Sequence, residues 1–210
     1  NKITSFIGNV YISSPTEVTV SSKNDTTIVK TGKILIATGS EAAPLNNISI
    51  DEKKIVSSTG ALELTTVPKK FIVVGGGYIG LEMGTVWRRL GSEVTVIEYL
   101  DRILPGMDSE IAKKFKLILQ KQGIKFELNT AIQDAKIINN HVQLSAINNS
   151  SHEKLSFETD VVLIATGRIP NTNNIGLEDL GVKLSQKGQV LVNDKFQTNI
   201  PTVYAIGDVI

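Results

Sequence analysis

Short runs rich in Val, Ile and Thr, alternating with polar residues, occupy the first 40 positions. "NVYIS", "EVTVSS", "TTIVKT" and "KILIATGS" read as strands, and "SKND" and "KTGK" break them with turn residues. A polar stretch containing Pro and Gly, "EAAPLNNISIDEKKIVSSTGALELTTVPKK", reads as a connector ending at Pro68. From Phe71 the pattern becomes strand, helix, strand, helix, strand. "FIVVG" is apolar throughout, as a buried parallel strand is. "YIGLEMGTVWRRL" places Ile79, Met83, Val86, Trp87 and Leu90 on one helical face, and Gly91 stops that helix before the strand "EVTVIE".

The design then repeats. In "DSEIAKKFKLILQKQG", Asp108 suits an N-cap, Glu110 suits the first turn, and Gly123 suits the C′ position. Ile111, Phe115, Ile118 and Leu119 are the expected buried stripe. "IKFEL" is a third strand, and "AIQDAKIINNHVQLSAINNSSHEKLSFET" alternates around Asn-rich turns as a β-meander does. "DVVLIATG" is another buried strand, and "GQVLVNDKFQTNIPTVYAIGD" predicts two short ones. One segment echoes another: "ILIATGS" at 34–40 and "VLIATGR" at 162–168. The class is therefore α/β, with a parallel sheet in the middle of the chain.

Composition narrows the chemistry. The 210 residues carry a net charge of +1, with charges of both signs interspersed, so nothing argues for a nucleic-acid or membrane-surface partner. The opening "NKITSF" has neither the basic start nor the apolar core of a secretion signal. Absence of cysteine excludes disulfides, thiolate metal sites and a cysteine nucleophile within the chain. The two histidines, His141 and His152, read as polar turn residues; no metal site and no catalytic nucleophile are expected.

The positive signal is a loop. Gly75, Gly77 and Gly80 follow a buried strand and open a helix, the context required of a G-x-G-x-x-G phosphate loop. Gly75 permits the tight turn, Gly77 admits a pyrophosphate to backbone N–H groups, and Gly80 lets the helix approach the strand. A glycine-rich turn before an ordinary helix would explain the same residues. Glu98, 23 residues beyond Gly75 at the end of the second strand, favours the dinucleotide site. A carboxylate there accepts hydrogen bonds from ribose hydroxyls and repels a 2′-phosphate, so NAD is expected rather than NADP. Arg102, which could meet a 2′-phosphate, reads as a solvated charge.

In order, a meander ending in "ATGS", then "GGGYIGLE", then "ATGRIPN" and "TVYAIGD", resemble the pyridine nucleotide–disulfide oxidoreductases over essentially the whole chain. "VWRRLGSEVTVIEYLDRILPGMD" and "LQKQGIKFELNT" resemble the dihydrolipoyl dehydrogenase branch of that family. The resemblance implies a Rossmann-like, three-layer NAD-binding domain at 67–171 (parallel sheet, helices, β-meander). Partial segments of a similar FAD-binding domain flank it at 1–66 and 172–210. It implies that Gly75, Gly76, Gly77, Tyr78, Ile79, Gly80, Leu81 and Glu82 form the NAD loop. Glu98 would hold the ribose, Ile132 would lie beside the adenine, and Gly167 and Glu82 would lie near the nicotinamide half. Tyr78 would cover the nicotinamide pocket, or else be an aromatic packed at a helix start. Thr38, Gly39 and Ser40 would lie near the FAD adenosine and pyrophosphate, with Asp208 on the ribityl hydroxyls. Arg168 and Asn171 would order the return loop.

The same resemblance implies elements that this stretch does not carry: an N-terminal FAD loop, a redox-active cysteine pair, and a C-terminal dimerisation domain with a His–Glu pair. The chain thus reads as an internal fragment without catalytic residues of its own. The expected whole is a homodimeric flavoenzyme of bacterial cytoplasm or mitochondrial matrix. It would oxidise the dihydrolipoyl groups of a 2-oxo acid dehydrogenase complex and pass a hydride to NAD+. Another two-dinucleotide flavoprotein, such as an NADH oxidase or a mercuric or glutathione reductase, and a silent nucleotide-binding module remain alternatives.

Overall fold

The computed structural model describes residues 2–210 and divides into two compact units, one formed by residues 42–167 and the other by residues 2–41 with 168–210. The second unit begins with an antiparallel meander of β1 (Asn9–Ser14), β2 (Glu17–Ser21) and β3 (Thr26–Lys30). β4 (Ile34–Ile36) pairs in parallel with the last strand, which spans Val203–Ala205. β5 (Ser40–Ala42), whose first two residues belong to this unit, pairs with the strand Arg168–Pro170. Ile34 and Ile36 point into a core with Ile12, Leu177, Val203 and Ala205, while Leu35 between them faces out, as the period of a strand requires. The tail forms one strand rather than the two expected; "QVLV" contributes only an isolated bridge, Leu184 to Val190, and its hydrogen bonds go to neighbouring loops.

The unit at 42–167 contains β6 (Ile55–Val56), α1 (Ser58–Glu63), β7 (Lys70–Val74), α2 (Tyr78–Leu90), β8 (Glu93–Ile97), α3 (Ser109–Lys121) and β9 (Lys125–Glu127). A hairpin meander of β10 (Thr130–Ile138), β11 (His141–Asn148) and β12 (Lys154–Thr159) follows, then β13 (Val161–Ile164). The strands Arg168–Pro170 and Val203–Ala205 complete the series as β14 and β15. Five strands form one parallel sheet in the order β6-β13-β7-β8-β9. α2 and α3 supply the crossovers that join the parallel neighbours β7, β8 and β9, and β13, reached through the meander, enters between β6 and β7.

Alternation along these strands builds the three layers. Phe71, Val73, Val94, Val96 and Leu163 face one core with Leu81, Trp87 and Leu119 of the helices. Ile72, Val74, Ile97, Val162 and Ile164 face a second core with Val142 and Leu144 of the meander. A sheet covered on both faces needs no polar alternation, which is why its central strands β7 and β13 carry the apolar runs Phe71–Val74 and Val161–Ile164. The β10–β11 turn uses Asn139 and Asn140 with φ of 49° and 67°, the left-handed pair of a tight hairpin.

Three expectations need correction. The connector contains structure: Ser57 caps α1 by accepting from the Thr59 N–H at 3.1 Å, and β6 joins the sheet edge, so residues 42–66 build on the central sheet. On α2 the buried face is Gly80, Leu81, Gly84 and Trp87, with Met83 beside them; Val86 and Leu90 are 45% and 55% exposed. Two of those buried positions are glycines, and a reading by apolar side chains misses a face that packs by backbone. On α3 the buried residues are Ala112 and Leu119 with half-buried Phe115, whereas Ile111 and Ile118 are 57% and 51% exposed. The caps hold as expected, with the Asp108 carboxylate accepting from Glu110 N–H at 3.0 Å and Ile111 N–H at 3.1 Å, and Gly123 following at φ 90°.

Candidate functional site

The carboxyl ends of β7 and β8 carry the candidate dinucleotide site, where open α/β sheets bind their ligands. Gly75 leaves β7 at φ 112°, a conformation that side chains rarely tolerate, and its N–H donates to the Ile97 carbonyl at 2.8 Å. A Cβ at Gly75 would overlap the Ala165 carbonyl oxygen, and one at Gly80 would overlap the Gly75 carbonyl oxygen. Beside Gly77, by contrast, a Cβ meets nothing within 4 Å. Two glycines therefore serve close packing, and the third leaves open space.

Gly77 is the N-cap of α2 and offers no side-chain acceptor. The N–H groups of Tyr78, Ile79 and Gly80, in the first turn, have no intrahelical acceptor. Together with the helix dipole they make this end attractive to an anion. Leu81 is buried behind the loop, while Glu82 is exposed. Tyr78 is 66% exposed, so its ring is not packed at the helix start.

Glu98 sits where the spacing put it, directly after β8 and only 8% exposed. One carboxylate oxygen accepts the Gly76 N–H at 2.5 Å and the other accepts the Leu100 N–H at 2.8 Å. Each oxygen keeps a free lone-pair direction for a further donor. A Cβ at Gly76 would lie 3.1 Å from both Glu98 Oε2 and Ile103 Cγ2, so the carboxylate closes on bare backbone. Ile132 lies half-buried on β10 against the core that contains Val74 and Ile97, next to a register irregularity between Ile132 and Asp134. Gly167 is exposed at φ 148°, and its carbonyl accepts the Ala43 N–H at 3.0 Å.

Arg102 is not a solvated charge. It is half-buried, and one terminal nitrogen donates to the Met107 carbonyl at 2.6 Å and the Leu104 carbonyl at 3.4 Å. Its Nε is buried without a partner among the described residues. Leu104 adopts φ 49°, which costs a non-glycine residue about 1–2 kcal/mol. Nothing in the helix and strand periods signals this bracing; only "PG" at 105–106 marks a turn.

In the other unit, the candidate flavin residues converge. Ser40 Oγ donates to the Asp208 carboxylate at 3.0 Å, and the Arg168 guanidinium donates to Ser40 Oγ at 2.6 Å and to the Ser40 carbonyl. Arg168 Nε also lies 3.7 Å from Asp208. Thr38 Oγ1 donates to the Asn171 carbonyl at 2.7 Å, and the Asn171 side-chain amide donates to the Thr38 carbonyl at 2.9 Å. Gly39, at φ 67°, accepts the Asn171 N–H at 2.9 Å. Asp208, Thr38 and Gly207 are exposed, so hydrogen-bonding groups face solvent at the ends of β4 and β15.

Elsewhere, His141 begins β11 with its Nδ1 3.1 Å from Asp160, and His152 occupies a turn at φ 58°. Among the described residues no group of three or more His, Asp or Glu side chains assembles as a metal site, and no helix is long and apolar enough to cross a membrane.

Comparison with known proteins agrees with this geometry. The family model described as "Pyridine nucleotide-disulphide oxidoreductase" matches residues 1–210. A mitochondrial dihydrolipoyl dehydrogenase of Pisum sativum is 48% identical over the whole chain, which spans 42% of that relative. A leghemoglobin reductase of Glycine max is 47% identical, again over the whole chain and 40% of the relative. Among solved structures, a Cu(II) complex of the HOCl-induced flavoprotein disulfide reductase RclA from Escherichia coli matches with a TM-score of 0.85 and 30% identity. That match covers 96% of this chain and 45% of the other. The chain thus spans under half the length of these relatives. With the whole sequence matched by one family model and the glycine loop, acidic strand end and three-layer sheet all in place, this chain belongs to the pyridine nucleotide-disulphide oxidoreductases.

Proposed function

We propose that the chain is the NAD(H)-binding portion of a dihydrolipoyl dehydrogenase, with flanking segments of its flavin domain. The carrying observation is Glu98, buried at the end of β8 with its carboxylate closed on the Gly76 N–H at 2.5 Å beside the open flank of Gly77. The residues fit the dinucleotide: unpaired N–H groups at the start of α2 suit its pyrophosphate, and the free lone pairs of Glu98 suit its ribose hydroxyls. A negative, largely desolvated carboxylate repels a 2′-phosphate, which selects NAD(H). Tyr78 and Glu82, both exposed in the first turns of α2, face the ligand's nicotinamide half in this reading, with Gly167. Ile132 lines the adenine.

For the flavin, Thr38, Gly39, Ser40 and Asp208 supply backbone groups, hydroxyls and a carboxylate gathered by Arg168 and Asn171. That donor set suits the hydroxyl-rich and phosphate parts of FAD. A bound flavin supplies the redox chemistry, and this chain's groups bind and orient. In the whole enzyme we assign NAD-binding to residues 67–171, or 42–167 by the compact unit, and the remainder to the flavin domain. Lipoyl domains of a 2-oxo acid dehydrogenase complex are the proposed electron donors, a homodimer the proposed assembly, and the mitochondrion, as named for the pea relative, the proposed compartment.

Titrating the chain with NADH and NADPH tests the reading. NADH should bind more tightly, and Glu98→Gln should weaken NADH about tenfold while narrowing the difference, because one charge-assisted acceptor is lost. Equal binding of the two by the unsubstituted chain refutes the role of Glu98. A second reading, a flavoprotein reductase acting on another acceptor, draws on the soybean relative's name; absence of dihydrolipoamide oxidation by the whole enzyme would favour it.

A further inference from the structure

The peptide joining Gly76 to Gly77 is held from both sides. Glu98 takes the Gly76 N–H at 2.5 Å, and the Gly76 carbonyl accepts the Leu104 N–H at 2.9 Å. Leu104 makes that second bond from a left-handed backbone, φ 49°, which a leucine does not adopt unaided. What holds it there is on the same loop. Arg102 spans the carbonyls of Leu104 at 3.4 Å and Met107 at 2.6 Å, and the Met107 N–H closes the turn on the Leu104 carbonyl at 2.9 Å. The guanidinium gives up hydration to do so, since its Nε is buried and unpaired.

In a trans peptide the C=O and the following N–H point in opposite directions, and the chain contains no cis bond. Drawing the Gly76 oxygen toward Leu104 therefore turns the Gly77 N–H away from it. Space around Gly77 is open on the side a Cβ would take. We infer that Arg102 is a positioning residue: through Leu104 it fixes the Gly76–Gly77 peptide so that the Gly77 N–H is presented to the dinucleotide pyrophosphate. This inference rests on the proposed NAD(H) reading of the loop.

The test measures calorimetric affinities of NADH, ADP-ribose and adenosine for the unsubstituted chain, Arg102→Ala and Arg102→Lys, with melting temperatures alongside. Arg102→Ala should weaken NADH and ADP-ribose about tenfold, the worth of one hydrogen bond to a charged group, and leave adenosine unchanged. Arg102→Lys, which keeps the stem and charge but not the fork, should lose less and serves if the alanine variant does not fold. Unchanged ADP-ribose affinity in both variants, or an equal loss for adenosine, overturns the inference while leaving the NAD(H) site standing. No binding of NADH by the unsubstituted chain overturns both.

Discussion

Replacing Gly80 with alanine would drive a Cβ into the Gly75 carbonyl oxygen, 2.9 Å from Val73 Cγ1 and 3.4 Å from the Ala165 Cβ. The first obstacle is backbone and the second is a fully buried valine, so α2 must back away from β7. Overpacking of this kind costs about 3 kcal/mol, and the helix propensity gained over glycine offsets about 1 kcal/mol, leaving a net loss of about 2 kcal/mol. Gly84→Ala, one turn further on, is the matched control. There the new Cβ would lie 3.4 Å from Val94 Cγ1 and 3.5 Å from Val73 Cγ2, ordinary contact distances, so about 0.5–1 kcal/mol of stabilisation is expected. The assay is urea and thermal unfolding followed by Trp87 fluorescence. Trp87 is the single tryptophan, 6% exposed, and its ring lies 5.8 Å from that of Phe71, so it reports on this helix–strand contact. Melting should fall by roughly 4–8 °C for Gly80→Ala and rise by roughly 1–3 °C for Gly84→Ala. If Gly80→Ala proves as stable as Gly84→Ala, the close-packing account of the third loop glycine is wrong.

Two further outcomes follow from the same structure. Leu119→Ala should destabilise by about 2–5 kcal/mol because Leu119 is 2% exposed, whereas Ile118→Ser, at a position 51% exposed, should stay within about 0.5 kcal/mol; chemical denaturation of the two variants separates the observed buried stripe of α3 from the expected one. Asp51 ties the turn before β6, accepting N–H groups of Lys53 at 2.8 Å, Lys54 at 2.8 Å and Ile55 at 2.9 Å. Partial burial pushes its pKa up, but the N–H donors of Ile55, Lys53 and Lys54 outweigh that and hold it below the ordinary carboxylate value. A depressed carboxylate contributes stability that is present above the unfolded value of about 3.9 and is lost as pH falls through the folded one. Asp51→Asn should therefore flatten the acid limb of a stability–pH curve below about pH 4; an unchanged limb contradicts the assignment.

The amino-acid pattern by itself determined four of the five strands of the parallel sheet, β7, β8, β9 and β13, both crossover helices with the caps at Asp108 and Gly123, and the meander, but not the edge strand β6. These are local signals: runs of β-branched residues, a 3.6-residue period, and residues that satisfy orphan backbone groups. It also determined the loop from Gly75 to Gly80 and its acidic partner Glu98, because spacing along a strand–helix–strand unit maps directly onto distance across two paired strands. The flavin-side residues were legible only through resemblance, since Ser40 and Asp208 lie far apart in sequence and nothing local announces that they meet at 3.0 Å. Tertiary structure decided the width of each buried helix face. On α2 the close approach of Gly80 and the burial of Trp87 were expected, but Val86 and Leu90 are exposed, and on α3 the exposed Ile111 and Ile118 mimic a stripe that Ala112 provides with Leu119. It alone decided the fate of Arg102 as well. A charge at that position is solvated by default, and only the left-handed turn at Leu104 brings two carbonyls to where its guanidinium can take them.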